Sequence, residues 1–256
     1  MDILQAIILG VVEGFTEFLP ISSTGHMIMV SDFFGIEQDT IMKAYEVIIQ
    51  FAAILAVMVL YREKITLKET KLWINVMIAA TPLLVIGYIF RYEIKELFSI
   101  EIVAWMFIIG GVIFLLIERF YDENKKHIVD VSKIGVKESL YIGFAQLFSF
   151  IPGTSRAGAT IIGGMLFGLD RRTSTEFSFL LAIPVMLAVS GYDLLKHYKD
   201  FQETNLAPYI IGFVVAFIVA YGTIKLFLEF LKRFTFVLFG WYRIVLGVIL
   251  LAFWVY

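Results

Sequence analysis

Five runs of mostly apolar residues, at about 42–61, 72–90, 101–118, 208–231 and 237–256, are each long enough to cross a bilayer as a helix. Crossing roughly 30 Å of hydrocarbon takes about 20 residues. A sixth run, 176–195, starts at Glu176 and contains Pro184. Proline is tolerated in a spanning helix because neighbouring helices satisfy the freed carbonyl. Such a chain has little choice of fold: inside a membrane every backbone amide must be bonded internally, so the spans are α-helices and the molecule is an all-α polytopic membrane protein. Composition agrees, with 60% hydrophobic residues, 17% charged residues and a mean hydropathy of +0.86, against about a quarter charged in a soluble domain.

Two further segments are apolar at both ends and polar in the middle. Residues 3–30 are interrupted by Glu13, Glu17, Pro20, Ser22, Ser23, Thr24 and His26; residues 138–168 are interrupted by Gln146, Pro152, Gly153, Thr154, Ser155 and Arg156. Each arm is too short to cross alone, so each segment is expected to enter the membrane as a helix, break and return as a second helix. Irregular backbone at that depth is tolerated where it is buried in protein or lines a wet cavity.

The two segments resemble copies. Setting Pro20 on Pro152 places Ser23 on Ser155, and downstream AYEVIIQFAAILAV (44–57) parallels STEFSFLLAIPVMLAV (174–189), with Glu46 opposite Glu176. The expectation is a single membrane domain, 1–256, whose halves at about 1–120 and 134–256 are separated by three spans and have opposite topology. Loop charge orients it. One face carries Arg62, Lys64, Lys68, Lys71, Arg119, Lys125, Lys126, Lys133, Lys137, Arg171, Arg172, Lys232 and Arg233; the other carries Lys43, Arg91, Lys95, Lys196 and Lys199. The first face is then cytoplasmic, both termini are outside, and Trp241 and Trp254 suit interfacial anchoring. Broken helices in inverted repeats place binding sites near the midplane.

Several function classes drop out. The net charge of −2 provides no basic field for nucleic acid. The chain has no Cys, so disulfides, thiolate chemistry and Cys-ligated zinc are excluded. Met1-Asp2-Ile3 begins without a basic region and reads as part of the mature chain.

What remains is in the two breaks. Glu13 and Glu17 are four residues apart and project from one helical face. Paired carboxylates in a membrane call for a hard cation such as Mg²⁺ or Ca²⁺, or a shared proton, unless they lie at an exposed helix end. Ser22 or Ser23 can cap a helix after Pro20, whose free N–H groups then face an anion; a serine near His26 also offers a nucleophile with a proton acceptor. Plain capping, with His26 as a packing residue, is the alternative. Pro152 to Gly158 repeats the device, and Arg156, read as the sole arginine at depth, requires either a glutamate of the first break or a ligand phosphate. Glu46, Gln50, Glu176 and Ser178 are secondary candidates for the same cavity, and Arg171 and Arg172 are assigned to topology.

These motifs, ILGVVEGFTEFLPISSTGHMIMV, YEVIIQ, PGTSRAGATI and EFSFLLAIP, closely resemble those of the bacterial undecaprenyl-diphosphate phosphatases linked to bacitracin resistance, along essentially the whole chain. The resemblance implies hydrolysis of the polyprenyl diphosphate to the monophosphate carrier of cell-wall synthesis, with a divalent cation, in the inner membrane and with the site opening to the periplasm. It implies catalytic roles for Glu17, Ser23, His26 and Arg156, with Ser23 attacking phosphorus or positioning a water while His26 handles the proton. It implies substrate binding by Ser22, Thr24, Gly153, Thr154 and Ser155, and a cation at Glu13 and Glu17. Ala157 stands where the family often has Ser. The partners expected are the polyprenyl lipid and membrane lipid, and oligomeric state is open, a homodimer included. The rival reading is an inverted-repeat transporter or lipid flippase, which would need no nucleophile.

Overall fold

The computed structural model describes residues 1–36, 40–122, 125, 127–197 and 206–255. Lys126 and Lys199, counted in the charge argument, lie outside the described residues, as do the side chains of Lys43, Lys95 and Lys196. The described residues are almost entirely helical, with no strand beyond one isolated bridge between Ile128 and Leu169.

The elements run α1 (Ile3–Thr16), α2 (Ser23–Phe33), α3 (Thr40–Leu60), α4 (Thr70–Ile89), the short α5 (Arg91–Glu96), α6 (Ile100–Phe120), α7 (Val136–Gln146), α8 (Arg156–Leu166), α9 (Arg171–His197), α10 (Ala207–Phe230) and α11 (Val237–Leu250). Among the described residues, five stretches are long and apolar enough to cross a membrane: Leu67–Ile89, Ile100–Phe120, Arg171–Tyr192, Ala207–Phe230 and Val237–Val255. This is a multi-pass membrane protein. Of the six runs read from sequence, the remaining one corresponds to α3, whose apolar part, Tyr45–Leu60, is shorter. α9 continues through Pro184, as expected.

Helix packing relies on small residues, because lipid leaves no hydrophobic drive between helices. α1 packs on α10, and α6 on α11. A Cβ added to Gly14 would sit 2.6 Å from the Ala216 carbonyl oxygen, and one on Gly111 would sit 2.6 Å from that of Gly240. The outer faces of α6 and α11 expose Val112, Leu116, Val245 and Val248, residues suited to lipid. The inner faces meet in a core that includes Phe18, Phe114, Phe179 and Ile161.

Both breaks are present, and their backbones match more closely than their sequences. α2 and α8 have 11 residues each, and each follows a serine with positive φ, Ser22 at φ 70°, ψ 95° and Ser155 at φ 75°, ψ 116°. These two are the only non-glycine residues with positive φ among the described residues. Ile3 and Val136, Ser23 and Arg156, and the positive-φ Gly35 and Gly168 are all separated by 133 positions. Aligning the prolines therefore sets the register one residue short. On that spacing Ser23 corresponds to Arg156, not to Ser155: the helices on both sides of the loop keep one spacing, and the prolines occupy different places within it, Pro20 three residues before the start of α2 and Pro152 four before that of α8.

Candidate active site

Glu17 ends α1, its N–H donating to the Glu13 carbonyl at 2.9 Å. Both side chains are buried, on the same face, one turn apart. Across the break, Ser23 opens α2 and its hydroxyl donates to Glu17 Oε2 at 2.5 Å. The other carboxylate oxygen, Oε1, accepts from Arg156 Nη2 at 2.9 Å. Arg156 opens α8, and its second nitrogen donates to the Ser178 carbonyl at 3.0 Å. One carboxylate thus joins the first break to the second. The structural alternative for Arg156, a pair with a glutamate of the first break, is realised.

Each serine of positive φ aims the residue after it. A non-glycine in that region carries about 1–3 kcal/mol of strain and persists only where its surroundings hold it. Ser155 is held by its own side chain, which caps α8 by accepting from Gly158 N at 3.0 Å. Ser22 makes no side-chain cap. Of the two cap candidates in the first break, neither behaves as a side-chain N-cap: Ser22 occupies the cap position without the bond, and Ser23 is the first helical residue.

The two breaks enclose a cavity of about 310 Å³ whose polar wall holds Glu17, Ser22, Ser23, Thr24, Gly153, Ser155 and Arg156, with Gln50 beside them. Its apolar wall includes Leu83, Ile94, Phe98, Phe150, Val185 and Met186. The volume lies at the small end of ligand pockets, sized for a headgroup rather than a long tail. The N-termini of α2 and α8 both begin at this wall, and helix N-termini favour anions.

Three expected site residues are not on that wall. Glu13 sits one turn deeper in α1, where it faces the charges of Glu17, Glu46 and Arg156. Thr154 lines a different, apolar cavity of about 420 Å³ with Met106, Phe144 and Phe148. His26 is buried, its Nδ1 2.8 Å from the Ser22 carbonyl and its Nε2 2.6 Å from the Tyr242 hydroxyl. Sequence reading gave His26 the Ser23 proton; in the structure both ring nitrogens are occupied elsewhere, and the Ser23 hydroxyl faces Glu17. Of the secondary candidates, Ser178 bonds Thr160 at 2.7 Å, and Glu176 pairs with Lys64 and Arg172. Arg171 is more than a topology signal, since it pairs with buried Glu118 at 2.7 Å.

The residue that sequence reading missed is Arg243. It is fully buried, which corrects the expectation that Arg156 is the sole arginine at depth. Its guanidinium donates to the carbonyls of Pro20 (3.1 Å), Thr154 (3.0 Å), Met106 (2.9 Å) and Gly153 (2.9 Å). It thereby ties α6 and α11 to both breaks. A lone arginine inside a spanning run was the available signal, because such a charge is retained only where it has partners.

Among the described residues no group of three or more His, Cys, Asp or Glu is placed to hold a metal ion. Glu13 Oε1, however, is buried without a hydrogen-bond partner. A carboxylate pair with one free oxygen fits a cation that draws its other ligands from substrate phosphate, the usual arrangement for Mg²⁺.

Residues 6–249 match the family described as "Bacitracin resistance protein BacA". The chain belongs to that family. Its relatives include proteins named undecaprenyl-diphosphatase from Sulfurovum sp., 64% identical over 98% of this chain and 99% of the relative, and from Sulfurimonas denitrificans, 63% identical over 99% of each. A protein of the same name from Methanococcus aeolicus is 49% identical over 100% of both chains. The likeness to the BacA family thus runs through both breaks and every span between them.

Proposed function

We propose that this chain is an undecaprenyl-diphosphate phosphatase, releasing inorganic phosphate from the polyprenyl diphosphate and returning the monophosphate carrier for cell-wall synthesis, and so conferring bacitracin resistance. The observation that carries the reading is the Glu17 carboxylate, which holds the Ser23 hydroxyl on one oxygen and the Arg156 guanidinium on the other at the wall of a headgroup-sized cavity. The relatives' names supply the substrate.

In the division of labour that follows, Ser23 Oγ attacks the terminal phosphorus as its proton passes to Glu17, and the bridging P–O bond breaks to leave the lipid monophosphate. Water then cleaves the phosphoserine, and Glu17 returns its proton. The same geometry serves if Ser23 orients a water instead. Arg156 and the N-termini of α2 and α8 neutralise the charge that develops on the phosphoryl oxygens. Ser22, Thr24, Gly153 and Ser155 line the headgroup site, while Thr154 contributes its carbonyl to the Arg243 network. A divalent cation, Mg²⁺ or Ca²⁺, held at Glu13 and Glu17 would supply further neutralisation of the diphosphate.

The halves at about 1–120 and 134–256 act as opposed copies, a reading supported by the common spacing of their helices. Loop charge favours an inner-membrane protein whose site opens to the periplasm. The test is phosphate release from polyprenyl diphosphate by purified protein in micelles, without any gradient. Glu17→Gln and Arg156→Lys should each lower kcat about 100-fold or more, general base and electrostatic contributions each being worth that much. Wild-type rates in both variants would overturn the site. Gradient-driven flux in liposomes without phosphate release would establish the transporter instead.

A further inference from the structure

The first break is held in a different way from the second, and the difference involves a residue outside both. Ser155 carries its own cap, whereas Ser22 lacks one. The Ser22 carbonyl instead lies 2.8 Å from His26 Nδ1, while the backbone N–H of His26 reaches the same carbonyl only at 3.4 Å. A carbonyl can only accept, so Nδ1 carries the hydrogen. The neutral ring then offers a lone pair at Nε2, and the Tyr242 hydroxyl, 2.6 Å away, donates to it. The two rings lie 4° from parallel, and the edge of Phe107 packs on the imidazole with centroids 5.5 Å apart. Tyr242 precedes Arg243, which holds the Pro20 carbonyl of the same break at 3.1 Å.

We propose that Tyr242 is a positioning residue for the reaction: by donating to His26 Nε2 it fixes the Nδ1–H tautomer, which holds the Ser22 carbonyl and so keeps the Ser23 hydroxyl on Glu17. α11 then grips the first break at two carbonyls, one directly through Arg243 and one through His26. His26 acts on the backbone that carries Ser23 and takes no proton from its hydroxyl. This rests on the phosphatase reading above, and concerns a residue that touches neither substrate nor reacting atoms.

The side-chain amide nitrogen of Asn can take the place of His Nδ1, whereas that of Gln takes the place of Nε2. His26→Asn therefore keeps a donor for Ser22, and His26→Gln does not. With purified protein in micelles, Tyr242→Phe should lower kcat about 3- to 10-fold, the worth of one hydrogen bond, with KM unchanged within about twofold. His26→Asn should be several-fold more active than His26→Gln. Tyr242→Phe added to His26→Asn should cost nothing more, because the path it acts through is gone. A direct readout comes from ¹⁵N-histidine NMR. The chain has three His, so the His26 signal is the one missing from His26→Asn, and it should report the Nδ1–H tautomer.

Equal inactivation by Asn and Gln would make His26 a proton carrier and overturn the proposal. So would additive effects of His26→Asn and Tyr242→Phe, or an Nε2–H tautomer in the wild type. If the wild type releases no phosphate, the phosphatase reading falls alone, and the tautomer still decides the geometry claimed here. If it releases phosphate and Tyr242→Phe matches it, the positioning role falls alone.

Discussion

Replacing Arg243 tests whether the two breaks are one structure. Its guanidinium makes four hydrogen bonds, at 2.9–3.1 Å, to carbonyls of Pro20, Met106, Gly153 and Thr154, and Phe107 lies 5.4 Å from its ring centroid to the guanidinium carbon. Bonds to a charged donor contribute about 1.5–3 kcal/mol each. Burying the charge costs several kcal/mol in return, so the sum of four bonds greatly overstates the net. Removing the guanidinium leaves neutral carbonyls buried without a donor, each unsatisfied group costing about 1–3 kcal/mol, while the burial cost of the charge itself is relieved. Arg243→Met fills similar volume while leaving four carbonyls without a donor, so a net cost near the low end of that sum, about 3–5 kcal/mol, is expected. At about 2–4 °C per kcal/mol for a chain near this length, the midpoint should fall about 6–20 °C. The melt can be followed in micelles by the fluorescence of the four tryptophans, with phosphate release measured well below it. Arg243→Lys should fall between, since one ammonium has three donors and no fork to span two loops. A melting point within about 2 °C of wild type for Arg243→Met, together with unchanged turnover, would refute the reasoning.

Other perturbations follow from the same geometry. Gly14→Ala places a methyl 2.6 Å from the Ala216 carbonyl oxygen and 2.9 Å from the Ala220 nitrogen; rigid backbone on both sides should make this overpacking cost about 1–3 kcal/mol in the melt. Ser155→Ala removes a cap and should cost about 1 kcal/mol, whereas Ser22→Ala, which loses no side-chain cap, should leave the melting point unchanged. Exhaustive chelation should abolish phosphate release, with either Mg²⁺ or Ca²⁺ restoring it. Glu13→Ala should raise the cation concentration needed for half-maximal rate, and an active chelated enzyme would remove the cation from the mechanism.

The spans and the two breaks were legible because the membrane leaves so few options: apolar length reads as a helix, and polar residues at depth read as a site. Glu17, Ser23 and Arg156 were legible for the same reason, each being costly in hydrocarbon without a partner. Two things were not. Proline alignment missed the register because a proline's place within an irregular loop is not fixed by the helices around it: Pro20 stands three residues before the start of α2 and Pro152 four before that of α8, while the helix starts on both sides keep one spacing. The partners of His26 were not legible because SxxH spacing places the residues on adjacent turns without saying which way the ring points. Its Nε2 meets Tyr242, 216 positions away, and no local pattern contains that contact.

On the proposed reading of the halves as opposed copies, the 133-residue spacing divides the chemistry between them. Equivalent positions hold Glu13 and Gln146, Glu17 and Phe150, Ser22 and Ser155, Ser23 and Arg156, His26 and Ala159. Backbone geometry is common to both copies, down to the positive-φ serine, but the charges are divided between them. The first copy has the carboxylates and the hydroxyl; the second has the guanidinium and, at the position of Glu13, a buried neutral amide whose two polar atoms lack partners. Neither copy could bury its charge alone, since Glu17 without Arg156, or Arg156 without Glu17, would be an unpaired ion at depth. The site therefore forms only where the copies pack. Arg243 touches carbonyls of both loops, so loosening it should impair Ser23 and Arg156 together rather than either by itself. Combining Arg243→Met with Arg156→Lys should consequently cost less activity than the product of the separate losses, and strictly multiplicative losses would mean that the two breaks work independently.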